Sequence, residues 1–326
     1  MMCLSTMWRV DSTLDSAGRS PVAERVLEPW PHDPRSLRFF RSSANFLYVF
    51  RQAGTTFFLR FTESAERSRV ALEAEMDILT WLAGAGLHVA PPTRSAAGNL
   101  VETVETEWGT FHAVVFAAVE GSQFELDDFD AERFRVWGAA LGKLHAALRT
   151  YSGLAAAARP TWRDRLEQAH AYLPADASAL RREWAELSAR LNALPVTRHT
   201  YGLIHFDFEL DNLVWQDGSV GILDFDDCAH GWFAADVAFA LQDLFDAGAT
   251  SDDPRPREFV RGYAVQWPLP EEQLSQVPLF LRLRNLLRYA GLARALDVPD
   301  EPAHPEWLHA LIGKLRSRMV AYRASL

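Results

Sequence analysis

The chain has 326 residues, 48% hydrophobic and 23% charged, with 33 Lys and Arg against 43 Asp and Glu for a formal net charge of −10. These proportions exclude a disordered or fibrous chain, and the length exceeds one ordinary hydrophobic core, so two lobes around a cleft are expected. The acidic balance opposes binding to nucleic acid or anionic lipid, while two cysteines, no long apolar run and no basic leader point to a cytoplasmic protein without a disulfide framework, membrane span or signal peptide.

Residues 1–35 show little pattern beyond a short helix expected at 22–30, closed by Pro31 and Pro34. From 37 to 61 the pattern turns to strand, with Phe46-Leu-Tyr-Val-Phe50 and Phe57-Phe-Leu-Arg-Phe61 on either side of a Gln52-Ala-Gly54 turn. A helix follows over 64–84, where Leu72, Met76, Leu79 and Leu82 recur at helical spacing and Glu75 rides along. Two more strands are expected at 100–105 and 110–119, the second ending at Glu120-Gly121. Beyond them the chain reads as helical, with stripes through Phe134–Leu148 and Leu180–Leu191 and a further helix over 279–296. Two short strands, 202–205 and 219–225, interrupt these helices and flank a polar loop at 206–218. The layout is α+β, a small β-rich lobe followed by a larger helical one.

The densest acidic chemistry lies in Tyr201-Gly-Leu-Ile-His205-Phe-Asp207-Phe-Glu209-Leu-Asp211-Asn212 and the following Val220-Gly-Ile-Leu-Asp224-Phe-Asp226-Asp227. Phosphoryl transfer needs a carboxylate for the proton of the attacking hydroxyl and further oxygen ligands for a cation on the nucleotide phosphates, and loops at adjacent strand ends supply both. Each residue alone reads equally as part of a solvated acidic turn. Together they resemble the H-x-D-x-x-x-x-N loop and D-F-[DEG] strand end shared by protein kinases and the aminoglycoside phosphotransferase and choline kinase-like superfamily. The run Ile222-Leu-Asp-Phe-Asp-Asp-Cys-Ala-His-Gly-Trp-Phe is most similar to the homoserine-kinase-like and stress-response branch.

The resemblance implies a bilobal protein-kinase-like fold: an antiparallel-sheet N-terminal lobe (1–116), a hinge (117–121) and a mainly helical C-terminal lobe (122–326). It also implies ATP and Mg²⁺ as cofactors, with Asp207 as catalytic base and Asn212 and Asp224 as Mg²⁺ ligands. Asp226 would touch a second metal, His205 would shape the catalytic loop, and Asp236 would tie that loop to the next helix. In the small lobe Ser42, Ser43 and Asn45 would stand at the phosphate-covering turn, which lacks glycine here. Arg60 falls at the basic position of the third strand with Glu75 as its partner, and hinge backbone groups at Ala117 and Val119 would meet adenine. Taken alone, Arg60 and Glu75 read as surface charges and the hinge as a buried strand.

Protein kinases usually carry a lysine, and many small-molecule kinases a histidine, where this chain has Glu209. Glu209 and Asp211 therefore add negative charge beside the acceptor, which favours a cationic substrate, unless Glu209 turns away to cap a turn. The expected function is ATP-dependent transfer of the γ-phosphate to a hydroxyl of a small molecule such as an amino sugar, aminoglycoside or amino alcohol. A stress-response-type serine/threonine protein kinase is one alternative, although little chain separates Asp224 from Gly231-Trp-Phe. A nucleotide-binding pseudokinase is another, although Asp207, Asn212 and Asp224 are all present.

Overall fold

In the computed structural model, which describes residues 1–299 and 301–326, two short helices, α1 (Leu4–Asp11) and α2 (Pro21–Leu27), precede the sheet. The first escapes a sequence reading because its buried stripe is only Leu4, Met7 and Val10. The second starts at Pro21 behind the Ser20 cap, where proline loses no helical hydrogen bond, and stops before Trp30.

The sheet is built from β1 (Arg38–Ser42), β2 (Phe46–Gln52) and β3 (Thr55–Glu63), followed by α3 (Arg69–Gly84), β4 (Pro92–Thr93), β5 (Glu102–Thr106) and β6 (Gly109–Ala117). Its order is β1-β2-β3-β6, antiparallel throughout, with β4 and β5 both paired to the far edge of β6. Alternation along β2 sends Phe46, Tyr48 and Phe50 inward, where Phe46 and Tyr48 meet Phe61 of β3.

The helical lobe opens with α4 (Ala131–Leu148), α5 (Ala155–Ala158), α6 (Trp162–His170) and α7 (Ser178–Ala193). Four short strands follow, β7 (Tyr201–Ile204), β8 (Leu213–Gln216), β9 (Ser219–Ile222) and β10 (Ala229–Trp232). The chain closes with α8 (Phe233–Ala240), α9 (Gln242–Asp246), α10 (Pro254–Ala264), α11 (Glu271–Leu274), α12 (Val277–Ala295) and α13 (Glu306–Ala324). The strand β8 lies inside the stretch expected to be loop. Its hairpin with β9 turns on Asp217 and Gly218, both at positive φ (48° and 77°), as a two-residue turn between twisted strands requires. The antiparallel β7–β10 pair then sets the 205–212 and 223–228 loops side by side.

One buried cluster, through Trp162, Trp232 and Phe280, belongs to the large lobe alone, and two others are shared between the lobes. Of the shared pair, one joins α3 of the small lobe to α4 and the β8–β9 hairpin, and the other joins α1, α2 and the sheet to Leu308, Ile312 and Leu315 of α13. The C-terminal helix thus returns to the small lobe, which a division by sequence at 122 does not convey. Within the large lobe α4 and α10 approach at glycines, since a Cβ on Gly138 would stand 1.9 Å from the Phe259 carbonyl oxygen. Among the described residues no helix is long and apolar enough to cross a membrane.

Candidate active site

The 205–212 loop hangs from a single buried carboxylate. Asp236, in the first turn of α8 and fully buried, accepts the N–H groups of His205 and Phe206, both at 2.7 Å. It also meets His145 Nε2 at 3.0 Å, and the other ring nitrogen of His145 meets the Tyr263 hydroxyl at 2.7 Å. Asp236 therefore does what the resemblance implies, because a buried carboxylate with several donors holds backbone rigidly. Phe206 sits at φ 70° and Asp224 at φ 57°, a left-handed conformation that non-glycine residues adopt at a cost.

His205 links the two loops. Its Nδ1 accepts the Asp207 N–H at 3.3 Å and its Nε2 donates to the Leu223 carbonyl at 3.0 Å, an arrangement that requires the neutral ring. Burial depresses its pKa against the pull of Asp236 and Asp207, in keeping with that form. His205 thus ties the two loops together from a fully buried position.

Asp207 is held at both oxygens. Asn212 Nδ2 donates to its Oδ2 and to its backbone carbonyl, both at 2.9 Å, and Arg284 of α12 donates to Oδ1 at 2.7 Å. Arg284 also reaches the Phe206 carbonyl at 2.6 Å and the Glu209 carboxylate, which Arg288 contacts one turn further on. This corrects the reading of Glu209 as free negative charge, because the pair Asp207 and Glu209 faces the pair Arg284 and Arg288. Asp211 is exposed, and its backbone carbonyl accepts from Gln123 at 2.7 Å. Arg284 was missed in the sequence, where the only signal was charge in the Leu-Arg-Leu-Arg-Asn-Leu-Leu-Arg run of an otherwise apolar helix.

Opposite Asp207, the strand end carries three acids with different surroundings. Asp224 meets Arg60 at 3.3 Å, yet loss of water pushes its pKa up to about 7, Arg60 opposing while Asp226 and Glu75 add to the rise. Asp226 accepts from Asn45 at 3.0 Å and pairs with Arg67 at 2.6 Å; although burial acts the other way, Arg67 and Arg60 hold it below the ordinary carboxylate range. Asp227 pairs with Arg165 at 2.9 Å, and Arg165 and Arg67 likewise outweigh burial to depress it. One oxygen of Asp226 is therefore committed to a clasp with the phosphate-covering turn, a use the metal-ligand expectation did not contain. Arg159, buried and absent from the sequence reading, gathers the carbonyls of Phe225 (2.8 Å) and Cys228 (2.7 Å) and that of Ala71 in α3 (3.3 Å).

The small lobe supplies the expected ion pair. Arg60 and Glu75 form two parallel hydrogen bonds, 2.9 and 2.6 Å, with both side chains buried. The covering turn is partly spent elsewhere. Ser42 donates its hydroxyl to Asp11 of α1 at 2.8 Å, which removes it from the phosphate contacts, and Ser43 gives its N–H to the Asn45 carbonyl at 3.1 Å. The Ser43 hydroxyl and the Ala44 N–H have no hydrogen-bond partner among the described residues. In the hinge Ala117 donates to Pro91 and Ala118 to Thr56, each at 3.1 Å, so Ala117 offers no N–H to a base. The Val119 N–H has no partner among the described residues, and its side chain lies over Gly221, where a Cβ would stand 2.9 Å from Val119 Cγ1.

The unspent donors around Asp224 are oxygens, with the Asn212 amide nitrogen taken by Asp207 so that its Oδ1 is left. An all-oxygen set beside a carboxylate that Arg60 only partly compensates suits a hard divalent cation. Among the described residues no three His, Cys, Asp or Glu side chains form a cage complete in itself. Only residues 225–228 separate Asp224 from β10.

A model of the phosphotransferase enzyme family matches residues 36–273. The chain belongs to this family. It is therefore a phosphotransferase that acts on hydroxyl groups. It is similar to the amicoumacin kinase of Bacillus subtilis (strain 168), with 29% identity over 273 residues, 80% of this chain and 81% of that one. It is also 29% identical over 215 residues to the homoserine kinase of Methylorubrum populi (strain ATCC BAA-705 / NCIMB 13946 / BJ001), 64% of each chain. Its fold matches that of an amicoumacin kinase solved with AMP-PNP, Ca²⁺ and Ami at a TM-score of 0.79 and 24% identity, covering 98% of this chain and 96% of that one. A microcompartment-associated aminopropanol kinase matches at 0.69 and 23% identity, covering 92% and 95%. The protein-kinase-like architecture expected from the motifs is thus the architecture of the chain.

Proposed function

We propose that the protein transfers the γ-phosphate of ATP, with Mg²⁺, to the hydroxyl of a small molecule that also carries an amino group. The observation that carries this reading is the convergence of Asp207, Asn212 and Asp224 from two loops, with the Arg60–Glu75 pair reaching Asp224 from the small lobe. When bound, ATP supplies the phosphoryl group and Mg²⁺ offsets the charge on its phosphates. Asp224 and the Oδ1 of Asn212 would hold the cation. Asp207, kept in place by Asn212 and Arg284, would accept the proton of the acceptor hydroxyl. Arg60 would meet the phosphates, the Ser43 hydroxyl and Ala44 N–H would cover them, and the Val119 N–H would meet the base. One oxygen of Asp226 serves as the clasp to Asn45 and Arg67, and the other would be left for a second metal.

The amino group of the acceptor is supported by the relatives named for aminopropanol and homoserine. In this chain the acid left to meet it is Asp211, exposed and without an ion-pair partner among the described residues, since Glu209 is held by Arg284 and Arg288. The test is ADP release across a panel of amino alcohols, amino sugars and acidic hydroxy compounds. Amine-bearing acceptors are expected to be used best, and Asp207→Asn is expected to lower transfer by about 10²–10⁴-fold while AMP-PNP still binds. Undiminished transfer in Asp207→Asn would remove the catalytic assignment, and equal use of acidic acceptors would remove the amine.

A further inference from the structure

A second cavity, of about 550 Å³, opens between the C-terminal end of α4, the β7–β10 pair and the segment that follows α10. It is bounded by Arg149, Tyr151, Arg198, His199, Tyr201 and Trp267, none of which belongs to the active site. It lies along Tyr201–Leu203 of β7, whereas the catalytic loop departs beyond Ile204 at the other end of that strand.

The charge in this cavity differs from that of the active site. Arg60, Arg67, Arg165, Arg284 and Arg288 all face carboxylates. Arg149 makes no side-chain hydrogen bond or ion pair among the described residues, and its guanidinium carbon rests 3.4 Å from the centre of the Trp267 ring. Among the described residues Arg198 has no ion pair either and donates only to its neighbour His199, at 3.2 Å. The His199 ring lies parallel to Trp267 at 5.5 Å, with the Trp267 indole N–H on the His199 carbonyl at 3.2 Å, so the aromatic wall is fixed. The carboxylate bonded to a wall residue, Asp77, is occupied by the Tyr151 hydroxyl and by the Leu154 N–H at 2.9 Å. Burial holds the Arg149 pKa below its ordinary value, with Tyr263 opposing and Arg198 adding to the fall, and an anion between the two arginines would offset their mutual repulsion.

Guanidinium groups with unused N–H donors recognise carboxylate, sulfonate or phosphate oxygens, and a rigid Trp, Tyr and His wall recognises a flat ring. The volume is that of an ordinary small-molecule site. We infer that this cavity is a second ligand site, taking a small planar aromatic molecule that carries one anionic group, with Arg149 and Arg198 on the anion and Trp267, Tyr151 and Tyr201 around the ring.

The experiment uses the full chain with saturating ADP and Mg²⁺, so that the nucleotide cleft is filled. The probe is 1-anilinonaphthalene-8-sulfonate, followed by fluorescence, against its uncharged counterpart N-phenyl-1-naphthylamine. Saturable binding of the sulfonate is expected, with the neutral compound about tenfold weaker or worse. The double variant Arg149→Gln, Arg198→Gln is expected to lose about tenfold or more of sulfonate affinity while its melting temperature and AMP-PNP binding stay unchanged. The inference is overturned if the neutral compound binds as tightly as the sulfonate, or if the double variant binds the sulfonate as the wild type does. Should the double variant fail to fold, the comparison of the two compounds on the wild-type chain decides by itself.

Discussion

At Arg284 one guanidinium meets the carbonyl of the strained Phe206, the carboxylate of Asp207 and that of Glu209, and it is 4% exposed. A buried arginine is tolerated where its charge is met, and here the groups that take its terminal N–H donors all belong to the catalytic loop, while its Nε–H has no partner among the described residues. The planar fork fixes the angle of Asp207 as well as its charge, which a lysine ammonium would not do. Arg284→Lys is therefore expected to lower kcat by roughly ten- to hundredfold while AMP-PNP binding is kept, as misplacement of a reacting group costs rate before it costs nucleotide affinity. Steady-state kinetics beside a nucleotide titration measure this, and a wild-type kcat would refute the positioning role.

The first helix and the phosphate-covering hairpin are joined by a titrating contact. Asp11 ends α1 and accepts the Ser42 hydroxyl at the end of β1, while burial pushes its pKa up to about 6 against the lowering effect of that hydrogen bond. The Tyr48 hydroxyl nearby, itself raised by burial, stays neutral and does not offset the charge. An acid whose pKa is higher folded than unfolded favours the native state in its protonated form. The gain is complete below the unfolded value near 4 and is lost as pH rises through about 6. Asp11→Asn keeps the contact and removes the titration, so the variant is expected to show a smaller fall in melting temperature between pH 4 and pH 7 than the wild type. Parallel melting curves of the two proteins would contradict the assignment.

Across the whole molecule the lobes are joined at the cleft floor by charge. Arg60 reaches Asp224, Asn45 and Arg67 reach Asp226, and Arg159 ties the acidic loop to the start of α3. The carboxylate that these contacts leave least compensated is Asp224, so a divalent cation with a nucleotide should stabilise the closed pair of lobes. Mg²⁺ with AMP-PNP at about a hundred times its Kd is expected to add ~2.7 kcal/mol to folding stability, read as a rise in melting temperature. Asp224→Asn is expected to lose most of that rise, and an equal rise in the variant would exclude Asp224 as a metal ligand.

Much of this molecule was legible in order along the chain. Apolar and aromatic runs announced β2 and β3, helical spacing announced α3, α4 and α7, and the joint pattern of His205, Asp207, Asn212 and Asp224 pointed to phosphoryl transfer, because residue runs, backbone period and motif spacing are local properties. The two-residue turn at Asp217-Gly218 was local too, but β8 before it was too short to show an alternation. What tertiary structure decided was the state of each charge. Glu209 read as free anion until α12 brought Arg284 and Arg288 to it, Asp226 read only as a metal ligand until Asn45 and Arg67 took one of its oxygens, and Ser42 read as a phosphate contact until Asp11 took its hydroxyl. Residue type and spacing state which charges a chain carries; only the packing of distant segments states which partner each one meets and how far that partner compensates it.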